Sequence, residues 1–322
     1  MTSPASAARP VILSLGGAEM ELYPHLGGTV RRLSLVPGQG GDAVDLLAGD
    51  EEHELEENPW FRGRLLFPFC DRIPGGGYRF EGKEFCLPAN QEDGSAIHGL
   101  LYKMPGRLVS KSTSPSARRV DLSWLLGEDA GYPFRLALSV SYRLFRSGSG
   151  IAASIAFRAV NRGEGPAPVG FGWHPYFHLP GLAADDMKIS IPCEHYVEVR
   201  EDLMPTGRLV PVEEGKASAG FYDFRRSRPL GKGVYDIAYP IEKEKGESGR
   251  TVELSSDTIS LAMNTQGAFS FFQLFTPPNR SAVALEPLSN VTDAFNRDDM
   301  GALTLLPGKS FSGSITLSLR RL

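Results

Sequence analysis

Short runs of alternating apolar and polar residues, each closed off by glycine or proline, recur from one end of this chain to the other. "RPVILSL", "RRVDLSWLL", "FRLALSVSYRLF", "GIAASIAFRAVN", "TVELSSDTISLAMN" and "SGSITLSLR" all read this way. Side chains on a strand alternate between its two faces, so such a run is a strand with one buried face. In "FRLALSVSYRLF" the residues Phe134, Leu136, Leu138, Val140 and Tyr142 fall at period two. No window of about 11 residues carries a capped apolar stripe at helical spacing. With 36 Gly and 24 Pro punctuating the runs, the chain reads as all-β and predominantly antiparallel, and one large β-sandwich is expected. Glu81-Gly82 between "YRF" and "KEF" predicts a two-residue hairpin turn, with Gly supplying a positive φ. The absence of any fixed-period repeat excludes propellers and solenoids. "GDEEHELEENPWFRG" and "YPIEKEKGESGRT" read as charged surface loops.

The 322 residues, 41% of them hydrophobic, suffice for a sizeable core, expected as a single domain over residues 10–322 behind a loose tail at 1–9. Lys plus Arg number 34 against 38 Asp plus Glu, a net charge of −4 with no long block of one sign. That pattern argues against nucleic acid and against anionic membranes as partners. Cys70, Cys86 and Cys193 are odd in number and lack CxxC spacing, which speaks against a disulfide framework and a structural zinc site and suits a reducing cytoplasm. The start has no basic segment, and its apolar run, Val11 to Leu15, is too short for a signal or a membrane span. The Asn290 "NVT" triplet carries no weight as a glycosylation acceptor without a secretion signal.

Ionisable groups stand inside several stretches too apolar to be ordinary surface. "GWHPYFHLP" (172 to 180) cannot be helix interior, because Pro175 removes a donor and pushes His174 out of the α region. As an extended segment it sends His174, Tyr176 and His178 to one face and Trp173, Pro175, Phe177 and Leu179 to the other. "FPFCDRIPGGGYRF" sets Asp71-Arg72 into an apolar run, where the Arg needs Asp71 or a ligand oxygen as partner. "AIHGLL" places His98 before a turning glycine, and "AVALEPLSNVTDAFN" ends an apolar run on Glu286. Each has a structural reading beside the functional one: a core histidine for His174 or His98, an internal ion pair for Asp71-Arg72. A carboxylate closing a buried strand is costly unless it is paired, hydrogen-bonded or used. Together the groups suffice for acid/base chemistry without a cofactor. A two-His, one-carboxylate metal site from His98, His174 and Glu286 is the weaker alternative, because no HxH or HExxH pair puts two ligands on one element.

In order and approximate spacing, "FPFCDRIPGGGYRFEGKEFCLPANQEDGSAIHGLL", "GFGWHPYFHLP" and "LEPLSNVTDAFN" resemble the motifs of the aldose 1-epimerases, the galactose mutarotase family. "PHLGGTVRRLSL" and the closing "LLPGKSFSGSITLSL" extend the likeness from about residue 20 to the end. The resemblance implies the galactose mutarotase-like supersandwich and a reaction that interconverts sugar anomers. It implies His174 as general acid and Glu286 as general base, with Arg72, His98 and, on a looser match, Asp236 of "VYDIAYP" holding sugar oxygens. Asp71 stands where the family carries Asn, and His178 where many members carry Asn; both bear on the substrate more than on the reaction. Asp71, Trp173 and Tyr176 are further candidates for contact with the sugar, Trp173, Tyr176 or Phe177 as an apolar platform.

The chemistry suits these groups. A base takes the C1 hydroxyl proton while an acid protonates the ring oxygen; the ring opens, C1 rotates, and the transfers reverse. An ordinary His near about 6.5 and Glu near about 4.3 can trade protons at neutral pH, and the reaction needs no metal or redox cofactor. The substrate is expected to be a free aldohexose, and the chain a monomer or homodimer. Two alternatives remain: a non-catalytic sugar-binding protein, and a mutarotase for a phosphorylated or anionic sugar drawing on Arg31-Arg32, Arg62, Arg64 and Arg225-Arg226.

Overall fold

The computed structural model describes residues 9–322 apart from 39–40, 58–59, 128, 130, 215–220 and 243–249. Most of the expected tail and most of the charged stretch after Tyr239 lie outside the described residues. Within them there is no α-helix; strands alternate with three-residue 3-10 turns, as the period-two pattern requires.

The largest sheet has nine antiparallel strands, with Leu136–Ser147, Gly150–Asn161, Ser310–Arg321 and Ile259–Gly267 adjacent at its centre. On Leu136–Ser147 the residues Leu136, Leu138, Val140, Tyr142 and Leu144 are buried while their neighbours face outward. A four-stranded sheet, Val11–Leu15, Ala18–Tyr23, Thr29–Leu35 and Val44–Asp45, lies on the inner face of the large sheet. The Glu81-Gly82 turn forms as the sequence implies: Gly77–Phe80 pairs with Lys83–Cys86, and both turn residues have positive φ, 49° and 74°, as a type I′ turn demands.

The sheet that carries the cleft runs Asp236–Pro240, Phe271–Phe275, Val283–Leu288, Gly172–Trp173 and Leu65–Leu66, with Tyr176–Phe177 also paired to Val283–Leu288. Its inner face joins the core: Phe171 stacks on Phe157 of the large sheet at 3.8 Å between ring centres. Gly172 lies where three segments meet, and a Cβ there would lie 2.5 Å from Leu288 Cδ2 and 2.7 Å from Cys70 Sγ, so those side chains would have to shift to admit one.

Candidate active site

Strand register sets the cleft floor. Gln273 pairs with both Ala238 and Glu286, and Phe275 pairs with Asp236 and Ala284, whose other neighbour is Tyr176. Directly paired residues face the same side, so Asp236, Gln273, Glu286 and Tyr176 all look out of the sandwich into one open cleft of about 220 Å³. The segment carrying Phe61, Asp71, Arg72 and His98 walls one side, and the hairpin His195–Val199 with Pro205–Pro211 walls the other.

His174 and Glu286 meet at the bottom, Nε2 to Oε1 3.6 Å apart, with His174 only 5% and Glu286 2% exposed. Burial pushes the His174 imidazole down to about 3, and the nearby Arg62 charge adds to this. Burial also pushes Glu286 well above the carboxylate range, reinforced by Asp71 and Asp236. Both shifts favour a resting pair of neutral imidazole beside carboxylic acid. It shares one proton between two groups.

His98 is fixed by backbone geometry. Its N–H donates to the Asp71 carbonyl at 3.0 Å, and the Asp71 N–H donates to its ring Nδ1 at 3.2 Å. A ring whose Nδ1 accepts carries its proton on Nε2, leaving a donor for a ligand. Burial, with His174 and Arg72 nearby, holds His98 neutral, and its ring meets that of His174 edge-on at 5.0 Å. This arrangement needs both Asp71 and His98 in the left-handed region, φ 57° and 63°, which Asp and His enter more readily than most residues. Gly99 follows at φ 77°, where a Cβ would strike the Phe67 carbonyl oxygen at 2.2 Å.

Seven of the eight sequence-nominated residues, His174, Glu286, Arg72, His98, Asp236, Asp71 and Tyr176, line this cleft. Trp173 does not. It is fully buried on the opposite side of its strand, donates from Nε1 to the Gly63 carbonyl at 3.2 Å and packs edge-on to Phe177, so a role as sugar platform is corrected. Phe177 is buried with it. Tyr176 stays on the cleft side, stacked parallel to His174 at 5.0 Å. His178, although on the same alternation, sits outside the cleft with Nε2 3.9 Å from Asp45. The Asp71-Arg72 ion pair, one of the two readings open in the sequence, does not form: Arg72 binds Asp93, and Asp71 accepts a hydrogen bond from Thr292.

Gln273 escaped the sequence reading, and Arg62 entered it only as a candidate for an anionic sugar. Gln273 donates to Asp236 Oδ1 at 2.6 Å, and its signal was present as a lone amide in "FFQLF". Arg62 lies over the Tyr176 ring at 5.0 Å and pairs with Asp50 at 3.5 Å. Asp236 is pushed up to about 7 by burial and by Asp71, while the Gln273 bond and Arg72 pull it down. The other arginines considered for an anionic sugar lie elsewhere. Arg31 and Arg64 are buried in hydrogen bonds, Arg32 is near Glu21, Arg225 pairs with Asp223, and Arg226 is exposed. Asn290 is fully buried, in keeping with the weight denied to its triplet. Among the described residues no group of three or more His, Cys, Asp or Glu is arranged to hold a metal ion, and no helix is long and apolar enough to cross a membrane.

A buried His–Glu pair flanked by hydrogen-bonding groups, on an antiparallel sandwich, is an arrangement capable of acid/base chemistry. Residues 17–318 match the family model described as aldose 1-epimerase, and the chain belongs to that family. It is an isomerase acting on carbohydrates, with a mutarotase-type reaction. The chain is 30% identical over 248 residues to the uncharacterized protein YihR of Escherichia coli (strain K12), covering 76% of this chain and 75% of that one. It is 27% identical over 314 residues to the galactose mutarotase of Rattus norvegicus, covering 89% and 86%. The crystal structure of an aldose epimerase homologue from C. elegans superposes with a TM-score of 0.83 at 21% identity, over 98% of this chain and all of that one, so the galactose mutarotase-like fold is shared.

Proposed function

We propose that this chain interconverts the α and β anomers of a free aldohexose carrying no phosphate or carboxylate, with His174 and Glu286 as the proton-transfer pair and residues 10–322 acting as one sandwich domain. The observation that carries the reading is the 3.6 Å approach of His174 Nε2 to Glu286 Oε1 at the base of the cleft. The two oxygens that exchange protons, the C1 hydroxyl and the ring oxygen, are both bonded to C1. Neighbouring acid and base groups can therefore reach both from one bound pose.

A C1 hydroxyl donating to Glu286 favours the carboxylate form and moves the shared proton to His174. Glu286 then takes the hydroxyl proton as His174 gives one to the ring oxygen, and the hemiacetal opens to the aldehyde. Rotation about the C1–C2 bond presents the other face, and the same two transfers in reverse close the ring. Each group donates once and accepts once, so the pair ends as it began. Arg72, the Nε2–H of His98, and Asp236 braced by Gln273 hold the remaining hydroxyls still, so that only the C1 end moves.

The charge of the cleft supports a substrate without a phosphate or carboxylate. Asp71, Asp236 and Glu286 line it, whereas its one guanidinium, Arg72, already holds Asp93. The test is polarimetry or anomeric proton NMR of freshly dissolved α-D-glucose and α-D-galactose. Acceleration over the spontaneous rate that vanishes in Glu286→Gln is expected. No acceleration of any neutral aldose, with turnover of a sugar phosphate or acid, would overturn the substrate class.

A further inference from the structure

The acidic groups of the cleft, Asp71, Asp236 and Glu286, form no ion pair with a lysine or arginine among the described residues; the guanidinium groups nearby are committed to Asp93 and Asp50. Both imidazoles are held neutral by burial. Glu286, almost wholly buried, makes no hydrogen bond with another described residue and looks into the cleft.

Asp71 is the most telling of the three. Its backbone N–H and carbonyl are used by His98, one carboxylate oxygen takes the Thr292 hydroxyl, and the Arg72 amide faces the same carboxylate. Every one of these carboxylate contacts is a donor. An ionised carboxylate offers about four acceptor sites and no donor, so what Asp71 in its ionised form has left for a ligand is acceptor capacity alone. The isosteric amide would instead turn an NH₂ group toward the ligand. A sugar hydroxyl satisfies either group, because it both donates and accepts. A protonated amine only donates, so it satisfies the carboxylate and is repelled by the amide.

We propose that Asp71 is a specificity-determining residue that tunes this cleft to amino aldoses, sugars in which a protonated amine replaces one hydroxyl. The inference rests on the anomer-interconverting function proposed above. An ammonium group would bring the missing positive charge to three carboxyl groups that burial otherwise keeps from ionising together, and its hydrogen bond to Asp71 would be charge-assisted.

The test compares glucosamine, galactosamine and 6-amino-6-deoxyglucose with glucose and galactose by anomeric NMR, at a pH that keeps the amines protonated. The unmodified chain and Asp71→Asn are assayed side by side, and dissociation constants are read by calorimetry so that an inactive variant still reports. At least one amino aldose is expected to match or exceed its neutral parent in kcat/KM. The amino-to-neutral ratio, in turnover or in affinity, is expected to fall about tenfold or more in Asp71→Asn, the size of one lost charge-assisted hydrogen bond. Amino aldoses all tenfold poorer than their parents, or a ratio unmoved by Asp71→Asn, would overturn the inference while leaving the proposed function standing. No acceleration of any aldose, neutral or amino, would defeat the function itself.

Discussion

The nine-stranded sheet and the cleft sheet obey the same alternation to opposite ends. On Leu136–Ser147 every second side chain is hydrocarbon or a satisfied tyrosine, Tyr142 donating to the Gly28 carbonyl at 2.6 Å, and the row is sealed in the core. On Val283–Leu288 both faces are buried, yet one position holds Glu286, with no hydrogen bond from another described residue. Burial of Leu138 stabilises the chain through the water it excludes, whereas burial of Glu286 costs free energy and returns it as a proton affinity no exposed carboxylate has. One sheet supplies the stability that lets the other hold groups in unfavourable states.

Exchanging isosteres in the cleft should separate the two roles most sharply. Glu286→Gln and His174→Asn are each expected to lower mutarotation by about 10²- to 10⁴-fold, the range for removing a general acid or base. Neither should lower the melting temperature, because the resting pair already contains no charge to lose. Polarimetry paired with thermal unfolding checks both halves; turnover near normal in either variant would remove that residue from the mechanism.

The mirror experiment lies in the large sheet. Leu138→Ala leaves a cavity between packed sheets and is expected to cost about 2–5 kcal/mol. The turnover per folded molecule should not change. Urea unfolding gives the first quantity, and activity normalised to the folded fraction the second; a large fall in the normalised rate would mean that the two sheets are mechanically coupled.

What could be read from the sequence follows the same divide. The strand from Leu136 and the Glu81-Gly82 hairpin were legible because period two and positive-φ turn residues are local signals. Polar groups stranded in apolar runs marked His174, Glu286 and Arg72 for the same reason. The partners were not legible. Asp71 is adjacent to Arg72 in sequence, but at φ 57° its side chain turns to Thr292, 221 residues away, and Arg72 finds Asp93 instead. Among the three aromatic candidates for a platform, chemistry alone does not separate Trp173 from Tyr176; alternation puts Trp173 opposite His174, and the core holds it.

Asp236 offers a smaller and signed effect. Its carboxyl keeps a proton in the folded chain up to about 7, against 3.8 for an ordinary Asp, so between those values the folded state binds the extra proton. The group therefore favours folding at low pH and loses that contribution as pH rises through 7. Melting temperature measured from pH 5 to 8 should decline less in Asp236→Asn than in the unmodified chain. In the pH profile of kcat/KM the limb near 7 should move down in Asp71→Asn, which removes a raising charge, and up in Gln273→Met, which removes a lowering hydrogen bond. Shifts in one common direction would disprove the assignment of that limb to Asp236.

The least effect is expected where alternation points to the cleft but geometry stops short of it. His178 shares the face of His174 and Tyr176, yet it does not line the cleft, and its ring lies 3.9 Å from the half-exposed Asp45. A solvent-screened contact at that distance is worth little, so His178→Asn should alter stability by no more than about 0.5 kcal/mol and turnover by less than about twofold. Parallel melting curves and saturation kinetics on a neutral aldose would detect more. A rise in KM without loss of kcat would mean that the wall beside Tyr176 closes over the sugar when it binds, bringing His178 into contact, and that the boundary between the supporting and reacting faces lies one residue pair further along this strand.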